Sequence, residues 1–197
     1  MTKTIDSLLE EIGEDKHENL STTSFLFKRD LWDFFQGFQA KNCVEFGTHK
    51  GQTTRILANL FKKVYTINLP GHFDLARQLN VDLDNIEYVG LNLYQTPADK
   101  NFKHDQIAMA FIDANHSFDC VMSDFTRVLN FKLDTEVYVV FDDYGMHNDV
   151  YVAVEQLIRV GQLEKVKYIG HPARHNFGGK PERILENPEG VICKLVM

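Results

Sequence analysis

Three carboxylates, Asp113, Asp142 and Asp143, follow directly on two apolar runs, IAMAFI (107–112) and EVYVVF (136–141), with Asp142 29 positions after Asp113. Carboxylate oxygens completed by water and a ligand suit Mg²⁺, with Mn²⁺ or Ca²⁺ as alternatives, rather than zinc. A dication in such a set holds two oxygens of a substrate and lowers the pKa of a bound hydroxyl. Asp143 and Asn148 also have a plainer use, as formers of the turn before a helix.

A second constellation is VEFGTHKG, Val44 to Gly51. An apolar run ends in Glu45, and a turn containing Gly47 and Gly51 leads into a helical pattern. Such a turn brings backbone N–H groups close to a ligand. A dinucleotide fingerprint needs a third glycine, which GTHKGQ lacks. Glu45 would repel a pyrophosphate and attract an ammonium or sulfonium group, so the turn points to S-adenosylmethionine.

These residues need a frame to bring them together. Apolar spacing over 24–38 (Phe25, Leu26, Leu31, Trp32, Phe35, Phe38) predicts an amphipathic helix. Downstream, short apolar runs at 42–47, 64–69, 86–92, 107–113 and 136–142 read as strands. Helical patterns at 52–62, 72–79, 118–131 and 150–160 alternate with them. VKYIG and VICKLVM, separated by the Gly/Pro-rich stretch 171–190, read as an antiparallel hairpin at one edge. Strands apolar throughout that alternate with helices predict an α/β fold, a doubly wound sheet of about seven strands, mostly parallel, with helices on both faces. In that fold Glu45 and Gly47, Asn68, Asn92, Asp113 and Asp142–Asp143 all reach the carboxyl edge, where ligands of such sheets bind.

Composition narrows the partners. The 197 residues carry a net charge of −7, which disfavours a nucleic-acid backbone as main partner. The chain is long enough for one core, read as an acidic segment over 1–22 and a single domain over 23–197. The acidic N-terminus has no signal-peptide core, and no run of about 20 apolar residues suggests a membrane span. Cys43, Cys120 and Cys193 form no CxxC pair and read as reduced thiols, so a cytoplasmic location is expected. The aromatic helix over 24–38 is a candidate surface for a homodimer.

VEFGTHKGQTT resembles the first motif of class I S-adenosylmethionine-dependent methyltransferases, and FIDANHSF, VVFDDYG and VAVEQLI together are similar to the macrocin-type sugar O-methyltransferases and related small-molecule metal-dependent O-methyltransferases. The resemblance covers about 42–158 and implies a Rossmann-like fold. It places Glu45, Gly47, Thr48, Gly51 and Thr53 along the methionine part of the cofactor. Asn68 stands where the family has an Asp or Glu on the ribose, and Asn92 lies near the adenine. Asp113 borders the cofactor and, with Asp142 and Asp143, forms the metal site.

Asn115 replaces an acidic residue of the related sequences and cannot take a proton. His116, which titrates near neutrality, becomes the candidate base, with His49 and His147 weaker. The acceptor is expected to be a hydroxylated small molecule, with Arg174, His175 and Arg183 in a loop able to touch it. Two other readings compete: a non-catalytic nucleoside-binding domain, supported by Asn68 and Asn115, and an NAD-dependent oxidoreductase, opposed by Glu45 and the missing glycine.

Overall fold

A computed structural model describes residues 3–13, 22–96, 106–172 and 188–196. Its strands are β1 (Asn42–Phe46), β2 (Lys63–Asn68), β3 (Ile86–Gly90), β4 (Ile107–Ile112), β5 (Leu133–Phe141), β6 (Leu163–Pro172) and β7 (Pro188–Leu195). Its helices are α1 (Ile5–Ile12), α2 (Phe25–Phe35), α3 (Gln52–Leu60), α4 (Asp74–Leu79), α5 (Phe118–Leu129) and α6 (Asn148–Arg159). The strands form one sheet in the order β3-β2-β1-β4-β5-β7-β6. The five strands from β3 to β5 run parallel, and β7 is antiparallel to both β5 and β6. The doubly wound sheet with an antiparallel edge pair, expected from the sequence, is therefore what the chain forms.

The order reverses between β1 and β4. From β1 the chain winds outward through α3 to β2, and from β4 it winds the other way through α5 to β5. A crevice opens where two such windings diverge. Alternate residues of β1 face opposite sides of the sheet. Val44 and Phe46 join a core with α5 and α6, whereas Cys43 joins a core with α1, α2 and α3. Glu45, two residues after Cys43, consequently points to the α3 side.

Helix α2 begins at Ser24, whose hydroxyl accepts the Phe27 N–H. Phe27, Leu31 and Phe35 are wholly buried, each contributing about 1.5–3 kcal/mol by leaving water. Phe25, Trp32, Phe34 and Phe38 pack partly buried against the same core. The aromatic surface considered for a second subunit is thus largely used within the chain.

Part of the acidic segment 1–22 is helix α1. Ile5, Leu8, Leu9 and Ile12 form one apolar stripe, buried against α2 and α3. Thr4 and Ser7 cap its start reciprocally, and Gly13 closes it in the left-handed region. The three cysteines are free thiols, Cys43 and Cys193 being buried. Among the described residues no helix is long and apolar enough to cross a membrane. Arg174, His175 and Arg183 lie outside the described residues.

Candidate active site at the carboxyl edge of the sheet

The turn after β1 crosses the end of β4 at very short range. Gly47 has φ 101°, and a Cβ there would fall 2.1 Å from the Asp113 carbonyl oxygen. Its N–H donates to Ile67 O at 2.9 Å, which pins the turn to β2 as well. Gly51, also in the left-handed region, starts α3 without a side-chain cap; a Cβ there would strike Ala76. Both glycines are therefore required by backbone approach and not merely by flexibility.

This turn borders a cleft of about 360 Å³, within the usual range of small-molecule sites. Gly47, Thr48, Gly51, Thr53, Asn68 and Asp113 all lie on its wall. Asn68, ending β2, is held by its own loop: its Oδ1 accepts the Leu69 N–H at 2.9 Å, and its Nδ2 donates to His72 O at 3.3 Å.

Two predicted cofactor residues lie elsewhere. Glu45 has no solvent exposure and sits behind the turn, where its Oε2 accepts the hydroxyls of Thr54 (2.6 Å) and Thr66 (2.5 Å). Burial raises its pKa to about 8, so the carboxyl is mostly protonated at neutral pH. It braces the turn from behind, through Thr66 and then Thr48 (Oγ1···Oγ1 2.6 Å), and is not on the cleft wall. Asn92 is not on the cleft wall either; its Oδ1 accepts the N–H groups of Tyr94 and Gln95 in a turn past β3.

Strand pairing assembles the carboxylates. Ile112 of β4 lies beside Phe141 of β5, so Asp113 and Asp142–Asp143 emerge together. One oxygen from each carboxylate lies within 4.8 Å of the other two. Asp142 is 7% exposed, and its Oδ1 has no hydrogen-bond partner among the described residues. Burial, then the neighbouring Asp113 and Asp143, raise its pKa well above the usual range. Burial likewise raises Asp113 to about 6. Crowded, under-compensated oxygens of this kind fit a hard dication.

His116 lies beside this cluster. Its Nε2 is 2.8 Å from Asp143 Oδ2 and 3.7 Å from Asp113 Oδ1. These two carboxylates raise its pKa to about 10, so the imidazole is a cation at neutral pH. This corrects the expectation that His116 titrates near neutrality and is ready to take a proton. The His147 ring stacks on it, with centroids 4.3 Å apart and planes at 23°. Asn115, beside it, accepts the Ser117 N–H at 2.9 Å.

Several contributors escaped the sequence reading. Thr22 and His72 also line the cleft, as do the weaker candidate His49 and the candidate base His116; no local motif marks Thr22 or His72. Buried Lys28 donates to Thr22 Oγ1 and Thr23 O, fixing the segment that carries Thr22. Its charge also acts to lower the Asp113 pKa. Glu189 of β7 accepts the Ser24 N–H at 2.7 Å and the His171 N–H at 3.1 Å, tying α2 to the edge pair.

Comparison with known proteins agrees with this geometry. A family described as "Methyltransferase domain" matches residues 44–144, which is 101 of the 197 residues. A comparison with curated proteins returns no match. Among solved structures, an O-methyltransferase from Bacillus cereus in complex with SAH is 17% identical, with TM-score 0.62, the match covering 98% of this chain and 90% of that one. The O-methyltransferase TomG from Streptomyces achromogenes, involved in tomaymycin synthesis and in complex with SAM, is 16% identical, with TM-score 0.64 and coverage of 100% and 92%. The tRNA (m1A58) methyltransferase TrmI from Aquifex aeolicus is 14% identical, with TM-score 0.64 and coverage of 96% and 76%. At these identities the likeness establishes the Rossmann-like fold, not the acceptor. With the matched segment running from β1 through the Asp142–Asp143 pair, the chain belongs to the methyltransferase-domain family.

Proposed function

We propose that this protein transfers the methyl group of S-adenosylmethionine to a hydroxyl oxygen of a small molecule, with a divalent cation held by Asp113, Asp142 and Asp143. The observation that carries the reading is the double position of Asp113, on the cofactor cleft and in the carboxylate cluster. Donor and acceptor sites therefore meet at one residue.

S-adenosylmethionine supplies an electrophilic methyl group on a sulfonium centre. A dication supplies positive charge that lowers the pKa of a coordinated hydroxyl. The chain's own work is mostly placement, which dominates reactions needing two groups in line. Gly47 permits close backbone approach, Thr48 and Thr53 shape the wall with hydroxyls paired to Thr66 and Thr23, and Asn68 offers an amide at the end of β2. His116 holds a proton on Nε2 between Asp113 and Asp143, and acts as a base only once that proton has left.

The net charge of −7 favours a small acceptor over RNA, although methylases of RNA share the fold. A non-catalytic nucleoside-binding domain accounts for the cleft but leaves three clustered carboxylates beside it without a use. The test is transfer of labelled methyl from S-adenosylmethionine to a panel of hydroxylated small molecules, with Mg²⁺ or with chelator. Label on an acceptor oxygen that depends on Mg²⁺ supports the reading. Label confined to RNA contradicts it.

A further inference from the structure

The site just described does not use His147, and it keeps His116 Nε2 protonated between Asp113 and Asp143, so a metal ion would take that nitrogen in place of the proton. Both rings, with Asp143, form a second group of donors whose ligand atoms lie within 4.8 Å of one another. His116 Nε2 and His147 Nε2 both face Asp143 Oδ2, at 2.8 Å and 3.9 Å. The carboxylate group is all oxygen, whereas this one is two imidazoles and one carboxylate.

The two groups share Asp143, and His116 borders both the cleft and a second space. Asp113 faces the cleft at the glycine turn. His116 and His147 line a separate cavity of about 410 Å³, together with Asn115, Ser117, Asn148 and Asp149. A cation there would have three protein ligands and open positions toward this polar cavity, the arrangement of an exchangeable or catalytic centre rather than a closed structural one.

We infer that His116, Asp143 and His147 bind a first-row transition-metal dication of borderline softness, such as Co²⁺, Ni²⁺ or Zn²⁺, in preference to Mg²⁺. Imidazole nitrogen selects such ions, while all-oxygen sets suit Mg²⁺, Mn²⁺ and Ca²⁺. The geometry is close to what is needed. Two donors each about 2.1 Å from one ion stand roughly 3 Å apart at a right angle, near the His116–Asp143 separation. His147 lies farther out and its ring stacks on that of His116, with centroids 4.3 Å apart; its side chain is half exposed, so the ring can turn out of the stack to aim its nitrogen at the ion. Asp149 adds a second negative charge at the cavity wall. Nothing in this assignment depends on a methyl donor or an acceptor.

The test is titration of tag-free protein with Co²⁺ alone, read by its visible ligand-field absorption and by calorimetry, and repeated on two variants. Wild type is expected to bind one Co²⁺ with an absorption typical of nitrogen ligation, and Zn²⁺ is expected to displace it where excess Mg²⁺ does not. Loss of an outer partner of a metal ligand already costs about 10–100-fold in affinity, so His147→Ala, which removes a ligand, is expected to lose at least as much. Asp113→Asn, outside the nitrogen set, is expected to keep the Co²⁺ spectrum. Circular dichroism and thermal melts establish that both variants are folded. Unchanged Co²⁺ binding by His147→Ala, loss of it in Asp113→Asn, or no binding by wild type would each overturn the assignment. Calorimetry with S-adenosylhomocysteine on the same samples reports separately on the methyltransferase reading.

Discussion

A Cβ on Gly47 would lie 2.1 Å from the carbonyl oxygen of Asp113, so the turn after β1 and the end of β4 touch backbone to backbone. That contact places the glycine turn and the first carboxylate on one wall. Gly47→Ala must either push β1 from β4 or rebuild a turn whose φ is 101°. The expected cost is roughly 2–5 kcal/mol, from left-handed strain together with overpacking. Gly13→Ala is the control: its φ is 69°, and its Cβ would meet open space, so only about 1 kcal/mol is expected. Thermal melts of the two variants check this, and equal costs would contradict it.

Asp142→Asn separates stability from metal binding. The wild-type carboxylate is nearly excluded from water, lies beside two other carboxylates, and has one oxygen without a partner. Replacing it with a neutral isostere is expected to stabilise the metal-free protein by about 1–3 kcal/mol. The gain is expected to be larger in alkaline than in acid solution, because the penalty belongs to the ionised form. The same variant is expected to lose the rise in melting temperature that Mg²⁺ gives the wild type. A variant less stable than wild type without metal, and still responsive to Mg²⁺, would refute both halves.

Glu45 gives the stability a pH dependence of definite sign. Its folded pKa, about 8, lies above the ordinary 4.5. Below the ordinary value both folded and unfolded chains hold the proton, and Glu45 contributes no slope. Between the two values the unfolded chain ionises while the folded one does not. Stability then falls with rising pH by at most about 1.4 kcal/mol per unit, and levels off above the folded value. Glu45→Gln keeps an oxygen for Thr54 and Thr66 and removes that slope. Denaturant titrations across the range are expected to show the two proteins diverging as pH rises; parallel curves would exclude a protonated Glu45.

Arg55 ties α1 into the domain. Its guanidinium donates to Glu11 of α1 (Nη2 to Oε2, 2.6 Å), to Asp82 (Nη1 to Oδ1, 2.8 Å) and to Leu79 O. The Arg55 side chain is 6% exposed, but its two carboxylate partners are 36% and 49% exposed and can be rehydrated. Arg55→Ala is therefore expected to cost only about 2 kcal/mol, mostly in packing and directed hydrogen bonds. Amide exchange is expected to accelerate over residues 5–12 before it does in the sheet. Uniform acceleration would show that α1 does not open separately.

Much of this site was legible in the sequence because a parallel sheet leaves little choice. Residues that end successive strands must share an edge, so Asp113, Asp142 and Asp143 meet whatever the loop lengths. The side to which Glu45 points was not legible. Strand β1 is buried on both faces, and with apolar neighbours at Val44 and Phe46 no alternation reveals the direction. Asn92 lies off the cleft wall, in a turn two residues past the end of β3 at Gly90, a strand end that the apolar run over 86–92 did not mark. The cationic state of His116 depends on distances to two carboxylates that sequence order does not give. Helix α1 did carry a signal, the stripe Ile5, Leu8, Leu9 and Ile12, which the acidic composition around it obscured.

The most direct measurement is calorimetric titration of the purified protein with S-adenosylhomocysteine, with and without Mg²⁺. The cleft at the Gly47–Gly51 turn predicts micromolar or tighter binding, about −8 kcal/mol or better, despite Asn68 on its wall. Gly47→Ala is predicted to abolish it. Absence of binding by wild type in both conditions would contradict the account at its centre.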